Sequence, residues 1–271
     1  MRQCIENPND VDWTAFWAEK LEGKKDKDWD KAAPGFFKRT RKEDYQEALF
    51  DKLTLDENDT VLDVGCGEGS ITIPLAKKVK KVVGVDSSPK MLEYLEKRAG
   101  ENNINNIETI LKPIEEIRYD EIGDFDVVVC SRSLNGIIPI EEVLCELDKI
   151  ANKYVFITIF GPENKKIEKD FDRELGIKTE DFPDYNYLFN ILFNMGIYAN
   201  VERFDLNNYR EYGSIEEAMD NGKFRLDLYS DEQKELLRKY LERILTFEDG
   251  KYFNVKDKAD WIMIWWKKLK S

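Results

Sequence analysis

The stretch Val61-Leu62-Asp63-Val64-Gly65-Cys66-Gly67-Glu68-Gly69-Ser70 decides the fold of this chain. An apolar run leads through Asp63 into a G-x-G-x-G turn, and a helical pattern begins at Ser70. A second apolar run ends in Asp86, 21 positions after Gly65. Glycines at a strand-to-helix turn let the backbone approach a ligand closely, and a carboxylate at the end of the next strand can bind ribose hydroxyls. The pairing predicts a nucleotide-like cofactor site at the carboxyl edge of a doubly wound sheet.

The charge of this site indicates the class of cofactor. The dinucleotide fingerprint G-x-G-x-x-G/A leaves a helix N-terminus for a pyrophosphate. Here the third glycine, Gly69, comes one residue early, and Ser70 occupies the last position of that fingerprint. Three carboxylates, Asp63, Glu68 and Asp86, would crowd a pyrophosphate, and like charges at about 4 Å cost on the order of 4 kcal/mol each at an effective dielectric near 20. A ligand with a ribose and a positive charge fits better.

At these residues the chain resembles the class I S-adenosylmethionine (SAM)-dependent methyltransferases. Their D-x-G-x-G loop and downstream ribose-binding acid are similar to Asp63–Gly67 and Asp86. SAM has no phosphate and carries an ammonium and a sulfonium, in agreement with the charge argument. The resemblance covers roughly residues 45 to 160 well and the remainder loosely. It implies that SAM is the cofactor and that the chain is an enzyme that transfers its methyl group.

The resemblance also implies roles for residues of the glycine loop and the second strand. Gly65 and Gly67, with Cys66 between them, would let the methionine part of SAM lie against the backbone. Asp63 would hold the ammonium through water or the loop amides, and Asp86 would bind the ribose. The structural alternatives are a tight turn for the glycines, a backbone cap for Asp63 and a surface acid for Asp86.

Other residues would surround the adenine and the methionine part. Ser87 and Met91 would wall one adenine face, although Met91 also suits the apolar core. After the third strand the family often has an acid that contacts adenine, and this chain has Pro113-Ile114 instead. The backbone of Ile114 could still bond adenine, and Glu115 could replace the acid. Ser131, after the fourth strand, would lie beside the methionine part.

The composition restricts the chemistry. The chain contains no histidine, which excludes an imidazole base and a metal site that contains histidine. Its four cysteines form no C-x-x-C pair, so neither a zinc site nor a disulfide framework is indicated. We predict no metal, and the sequence identifies no catalytic residue. If the acceptor must lose a proton, the base would be Glu, Asp, Tyr or Lys, and we expect Cys130 to be a buried wall and not a nucleophile.

Charge and motifs favour a small-molecule acceptor. The net charge of −13 disfavours loose attraction to nucleic acid or an anionic membrane. The signatures of amino-methylating and cytosine-C5-methylating nucleic-acid enzymes are absent, and a basic cluster around Lys24–Lys42 is the feature that opposes this interpretation. We expect a cytoplasmic protein because no hydrophobic signal core or 18-residue apolar run is present. The alternatives are a protein or RNA methyltransferase, or a SAM-binding protein without transferase activity. The oligomeric state is not predicted.

Strand and helix patterns alternate from Thr60 to Phe160, which predicts an α/β fold with a parallel sheet. The resemblance implies a doubly wound, seven-stranded, mostly parallel sheet with an α-rich lid insertion and a last antiparallel strand beside the fifth. The predicted segments are a helical flap at 1–44, a SAM-binding core at 45–160, and a C-terminal part at 161–271 with lid insertions and final strands. Lid candidates are 163–198 and 210–250. The predicted strands are Thr60–Val64, Lys81–Val85, Ile107–Leu111, Phe125–Cys130, Tyr154–Phe160, Asn200–Leu206 and Ala259–Trp266.

Two groups of residues outside the core have open roles. The first is a flap over the cofactor, in which Arg39 or Arg41 would contact the methionine carboxylate or belong to a solvated basic stretch. The second is an aromatic run that either lines an acceptor pocket or forms the core of the lid. The flap candidates are Trp29, Phe36, Phe37, Arg39 and Tyr45, and the aromatic run is Tyr185, Tyr187, Phe189, Phe193 and Tyr198.

Overall fold

A computed structural model describes residues 11–24, 27–38, 44–177, 182–207, 209–222, 224 and 226–268. The strands in these ranges are β1 (Thr60–Val64), β2 (Lys81–Asp86), β3 (Ile107–Leu111), β4 (Phe125–Ser131), β5 (Ala151–Phe160), β6 (Asn200–Arg203), β7 (Tyr209–Tyr212), β8 (Thr246–Glu248), β9 (Lys251–Lys258) and β10 (Trp261–Lys267). The helices are α1 (Trp13–Leu21), α2 (Trp29–Lys38), α3 (Asp44–Phe50), α4 (Thr72–Ala76), α5 (Pro89–Glu101), α6 (Tyr119–Ile122), α7 (Ile140–Ile150), α8 (Lys166–Glu174), α9 (Tyr185–Asn194), α10 (Ile215–Asn221) and α11 (Asp231–Ile244).

Seven strands form the central sheet in the order β3-β2-β1-β4-β5-β10-β6. The first five strands run parallel to one another, and β10 runs antiparallel to both β5 and β6. This confirms the predicted seven-stranded, mostly parallel sheet with an antiparallel last strand beside the fifth. The strand order reverses between β1 and β4, and in such sheets ligands bind in the crevice at the carboxyl ends of the strands at that point.

Helices cover both faces of the sheet because its central strands are apolar on both sides. One face buries Val128, Cys130 and Ile157 against α1, α7 and α9. The other face buries Val61, Val129 and Phe156 against α3 and the segment around α4. No helix in the described ranges is both long and apolar enough to cross a membrane.

A lid lies on the carboxyl side of β5 and β6. It consists of α8, α10, α11 and a three-stranded sheet in the order β7-β9-β8, around a core that includes Phe171, Tyr240 and Leu241. The lid differs from the prediction in two ways. The small sheet was not predicted, and α9, inside the lid candidate 163–198, packs on the central sheet through Leu188 and Leu192.

Candidate functional site

The glycine loop joins β1 to α4 with three left-handed residues. The φ angles of Gly65, Gly67 and Gly69 are 72°, 54° and 85°, in the region that only glycine adopts without strain. A Cβ atom on Gly65 would lie 2.3 Å from the Cβ of Ser133, and one on Gly69 would lie 2.4 Å from a methyl carbon of Leu95. At Gly65, close packing therefore excludes other residues as well as backbone conformation, whereas at Gly69 the end of the Leu95 side chain would have to move.

Asp86, at the end of β2, fastens this loop to the start of α5. Its two carboxylate oxygens accept hydrogen bonds of 2.9 Å from the amides of Gly67 and Ser88. Ser88 caps α5 by accepting from the amide of Met91 at 3.0 Å, with Pro89 as the first helical residue. Burial raises the pKa of the Asp86 carboxyl, although these amides oppose the rise. The acid therefore lies in the loop of the predicted cofactor site.

Replacing Asp86 with asparagine should weaken SAM binding by about 10- to 100-fold, or ~1.5–3 kcal/mol, the usual contribution of hydrogen bonds to a charged group. The physical reason is the loss of a charged acceptor that also orders the glycine loop. Isothermal titration calorimetry with SAM measures the effect. Asp120→Asn, which changes an exposed acid at the opposite edge of the sheet, is the control. Equal affinities of the folded Asp86→Asn variant and the wild type would remove Asp86 from the site.

Two further acids lie in the same loop region. Asp63 is 1% exposed and accepts a hydrogen bond of 2.6 Å from the hydroxyl of Thr72. Burial raises the pKa of Asp63 to about 7, and the nearby charges of Asp86 and Glu68 add to the rise. Glu68 is also buried, 3.8 Å from a guanidinium nitrogen of Arg98. The structure thus brings together the three carboxylates that the sequence placed around the cofactor.

The raised pKa of Asp63 predicts a pH dependence of cofactor binding. Because a cationic ligand favours the ionised carboxyl, SAM affinity should rise by about tenfold between pH 5.5 and 7, as Asp63 ionises. In the ligand-free protein the sign is opposite, since a carboxyl with a raised folded-state pKa lowers stability as pH rises from its unfolded value toward 7. Calorimetry across this range tests the first point. An Asp63→Asn variant with an unchanged pH slope would assign the dependence to another group.

The remaining predicted residues of the loop region lie around the glycines. The sulfur of Met91 would be 3.9 Å from a Cβ on Gly67, and a methyl carbon of Ile114 would be 3.3 Å from one on Gly65. Ser87 is exposed. The Cys66 side chain is buried in an apolar cluster under α5, where burial raises its thiol pKa. Its side chain therefore faces protein, and its backbone belongs to the loop.

Ser131, at the end of β4, belongs to a hydroxyl cluster. Tyr45 on α3 places its hydroxyl 2.8 Å from the Ser131 hydroxyl and 2.6 Å from that of Thr158 on β5. The next residue, Arg132, has a φ of 63° and holds its guanidinium carbon 4.2 Å from the centre of the Tyr45 ring. The sequence did not identify Thr158, because its position beside Ser131 depends on the register of β5 against β4.

The N-terminal helices contact segments that follow the carboxyl ends of β4 and β2. On α1, Trp17 donates to the carbonyl of Ile137 at 2.6 Å. On α2, Asp30 accepts a bond of 2.5 Å from the Ser88 hydroxyl, and Phe37 stacks on Tyr94 with ring centres 4.4 Å apart. Of the predicted flap, Trp29, Phe36, Phe37 and Tyr45 are thus placed by the structure. Arg39 and Arg41 lie outside the described residues.

The residues of the aromatic run Tyr185–Tyr198 lie in two different environments. Tyr185, Tyr187 and Phe189 pack against the core beneath α1 and α9, while Phe193 and Tyr198 form an exposed edge-to-face pair. A different aromatic set lies near Ser131: the ring of Tyr45 is 5.5 Å from Phe204 and 5.9 Å from Trp261. The position of Trp261 in the predicted strand Ala259–Trp266 could have pointed to this set.

A cavity of about 660 Å³ lies between the lid and the carboxyl edge of the central sheet. The cavity is bounded by the residues that follow β5, by the end of β6 and the residues after it, by β7 and β9, and by the residues that join β9 to β10. It borders the aromatic set through Phe204. Its lining residues are Glu163, Lys166, Arg203, Phe204, Asp205, Asn207, Tyr209, Val255, Lys256, Lys258, Ala259 and Asp260.

Comparisons with known sequences agree with this geometry. Residues 55–184 match the model of a family described as a methyltransferase domain. An uncharacterised protein of Haemophilus influenzae is 27% identical over 82% of this chain and 81% of its own length. The 23S rRNA (uracil(1939)-C(5))-methyltransferase of Aliivibrio fischeri is 40% identical over 70 residues, which are 26% of this chain and 16% of that enzyme. The chain therefore spans a small part of the RNA enzyme and most of the Haemophilus protein.

Solved structures share the fold. The YcgJ protein of Bacillus subtilis superposes with a TM-score of 0.55 at 12% identity, over 83% of this chain and 98% of that one. Phosphoethanolamine N-methyltransferase 2 of Haemonchus contortus, solved with phosphomonomethylethanolamine and S-adenosylhomocysteine, has a TM-score of 0.51 at 16% identity, over 83% and 52% of the two chains. Together with the glycine loop and the strand order, these findings identify residues 55–184 as a SAM-dependent methyltransferase domain with the class I fold.

Proposed function

We propose that this methyltransferase acts on a small-molecule acceptor that binds in the cavity between the lid and the central sheet. The observation that carries the proposal is the cavity itself. Its volume of about 660 Å³ falls in the range of roughly 300–1,000 Å³ typical of small-ligand sites. The cavity and the glycine loop lie at the same carboxyl edge of the sheet, with β4 between β1 and β5, so donor and acceptor would approach each other across the end of β4.

The residues present suit SAM. Three carboxylates, Asp63, Glu68 and Asp86, favour a ligand with an ammonium and disfavour one with a pyrophosphate. The close packing at Gly65 leaves its backbone as the surface that a ligand can approach. We assign the contacts as the family implies them: the loop Asp63–Gly67 to the methionine part and Asp86 to the ribose.

The other assigned residues would surround the adenine and the methionine part of SAM. Ser87 and Met91 would contact one face of the adenine, and Ile114 would contact the adenine with its backbone. Ser131, with the hydroxyls of Tyr45 and Thr158 beside it, would lie next to the methionine part. Cys66 would contribute its backbone, because its side chain faces the core beneath α5.

The chemistry makes positioning the main task of the protein. Bound SAM supplies a methyl group on a positively charged sulfur, which is a good leaving group. The chain must therefore align the acceptor with that methyl group and exclude water. The hydroxyl cluster of Tyr45, Ser131 and Thr158 would orient the reacting end of the acceptor. A proton from the acceptor would leave to a carboxylate, tyrosine, lysine or water, since the chain has no histidine.

RNA is the second candidate acceptor. The 40% identity to the Aliivibrio rRNA methyltransferase favours it, but this match covers 26% of the chain. The net charge of −13 opposes it, because RNA binding requires cationic groups that neutralise phosphates. The volume of the cavity, about 660 Å³, also suits a small ligand.

The test is a methylation assay with isotopically labelled SAM and three separate cell fractions: metabolites of low molecular weight, RNA and protein. We expect label in the metabolite fraction, and the Asp86→Asn variant should reduce it strongly. Label in RNA together with submicromolar, salt-sensitive RNA binding at about 150 mM salt would transfer the assignment to RNA. Label confined to protein would transfer it to a protein acceptor.

A further inference from the structure

The charge of the cavity differs from that of the whole chain. Four cations line it, and three carboxylates accompany them, although the chain carries a net charge of −13. Because the chain is so acidic, a local excess of positive charge indicates a ligand of the opposite sign. The cations are Lys166, Arg203, Lys256 and Lys258, and the carboxylates are Glu163, Asp205 and Asp260.

The carboxylates that line the cavity already form ion pairs with cations. Arg203 bridges Glu163 at 2.6 Å and the buried Asp260 at 2.7 Å. Lys258 lies 3.5 Å from Asp205 and donates to the carbonyl of Leu206 at 2.6 Å. These pairs use Arg203 and Lys258 within the wall, so neither cation is the main source of the positive excess.

The excess belongs to Lys256 and Lys166. Across the described residues, no carboxylate forms an ion pair with Lys256, which is exposed at the cavity. Lys166 pairs at 3.1 Å with Asp170, one turn further along α8 and outside the lining. Both side chains of this i,i+4 pair are about a third exposed, and such pairs contribute little, so Lys166 can exchange Asp170 for a better anion. Two lysine ammonium groups are thus available to a ligand.

A buried ionic cluster fixes the elements that bear these lysines. Arg210 on β7 donates to Glu168 on α8 at 2.6 Å and, through Nε, to Asp257 on β9 at 2.8 Å. The Tyr212 hydroxyl donates to the second oxygen of Asp257 at 2.8 Å. In the sequence, Glu168 lies two residues after Lys166, and Asp257 lies between Lys256 and Lys258. The cluster therefore preorganises the cationic wall, which lowers the ordering cost of binding.

We propose that the methyl acceptor carries a carboxylate or phosphate group, and that Lys256 and Lys166 bind this group in the cavity. The inference rests on the proposed small-molecule function. Phe204 lines the cavity and lies 5.5 Å from Tyr45, whose hydroxyl contacts Ser131. In this proposal the acceptor reaches from the lysines past Phe204 toward Ser131, and the side chains of Phe204 and Tyr45, which are 4% and 3% exposed, move aside for it.

The first experiment sorts acceptors by charge. A metabolite extract is divided on an anion exchanger at pH 7, and the retained and unretained fractions are incubated with the full chain and labelled SAM. We expect labelled small molecules from the retained fraction. Labelled small molecules solely from the unretained fraction would overturn this inference and leave the proposed function standing, whereas label confined to RNA or protein would overturn both. Phosphatase treatment that removes acceptor activity would identify a phosphate, and persistent activity would identify a carboxylate.

The second experiment assigns the lysine. With the active retained fraction, Lys256→Gln should raise the acceptor KM by about tenfold and change kcat little, because it removes a charge that binds the acceptor throughout the reaction. Lys256→Arg should restore most of the loss. Lys239→Gln, the same charge change on the outer face of α11, is the control, and SAM affinity should be equal in all three variants. An unchanged KM in Lys256→Gln, or an equal rise in Lys239→Gln, would overturn the role of Lys256.

Discussion

Replacing Gly65 with alanine is expected to lower SAM affinity by more than about 100-fold, or ~3 kcal/mol. The added Cβ would meet the Cβ of Ser133 at 2.3 Å, and Ser133 cannot move freely because its hydroxyl donates to the carbonyl of Val64 at 2.6 Å. The φ of 72° adds strain. The loop must therefore shift, and with it the backbone against which the methionine part of SAM lies. Calorimetry with SAM and circular dichroism of the variant measure binding and folding separately.

The control for this prediction is Gly123→Ala. Gly123 has a φ of 77°, close to that of Gly65, but a Cβ there meets nothing within 4 Å. It ends α6 at the opposite edge of the sheet. This variant should lose about 1 kcal/mol of stability from backbone strain and keep its SAM affinity. If a folded Gly65→Ala protein bound SAM as the wild type does, close backbone approach at this glycine would be refuted.

The second large effect concerns stability. Arg210→Met should lower the free energy of unfolding by about 3–5 kcal/mol, because it leaves Glu168 and Asp257 buried without their shared cation. For a chain of this size, each kcal/mol corresponds to roughly 2–4 °C in Tm. Thermal unfolding followed by circular dichroism should therefore show a clear decrease in Tm.

Arg238→Met is the matched control in the same lid. Arg238 on α11 pairs with Glu216 on α10 at the surface, where ion pairs contribute little, and its removal should leave the Tm nearly unchanged. A similar small effect of Arg210→Met would show that the buried cluster does not hold the lid together. A double variant, Arg210→Met with Asp257→Asn, should recover part of the loss because it removes one of the unmatched charges.

The sequence predicted the central strands well because they are buried on both faces. The bounds of β1 agree with the prediction, and β2 and β4 each extend one residue further. The bounds of β3 agree as well, although this edge strand is partly exposed. Continuous apolar runs rich in valine and isoleucine are typical of buried parallel strands. The helical pattern that begins at Ser70 becomes a helix two residues later, at Thr72, because the turn from the glycine loop occupies its first residues.

The lid was predicted less well because its strands are half exposed. β8 and β9 are rich in charged residues and show no clear alternation. A signal was nevertheless present: Asp249-Gly250 joins them in a tight turn in which both residues have positive φ, 49° and 76°. An Asp-Gly pair is typical of a two-residue β-hairpin. Recognition of this pair would have predicted the small sheet that supports the cationic wall.

The cofactor loop could be predicted from local sequence, whereas the hydroxyl cluster and the cavity could not. The residues from Asp63 to Asp86 lie close together in the sequence, so their spacing predicts that they meet in the fold. The structure brings their carboxylates together as expected. Tyr45 and Thr158 are 113 positions apart, and the cavity combines residues from Glu163 to Asp260. Such contacts depend on tertiary packing, which no local pattern encodes.

The position of β10 has a consequence for the order in which the chain folds. β10 begins at Trp261 and lies between β5 and β6, although about 57 residues separate it from the end of β6. A ribosome-bound chain can form the β3-β2-β1-β4-β5 half of the sheet early, but β6 must wait for β10. Synthesis would thus proceed through a state in which the five parallel strands are assembled while β10 and β6 are not yet in place. In this state the edge of β5 is unpaired and prone to association. Pausing of translation before Trp261 should therefore increase chaperone binding, and release of the final strand should end it.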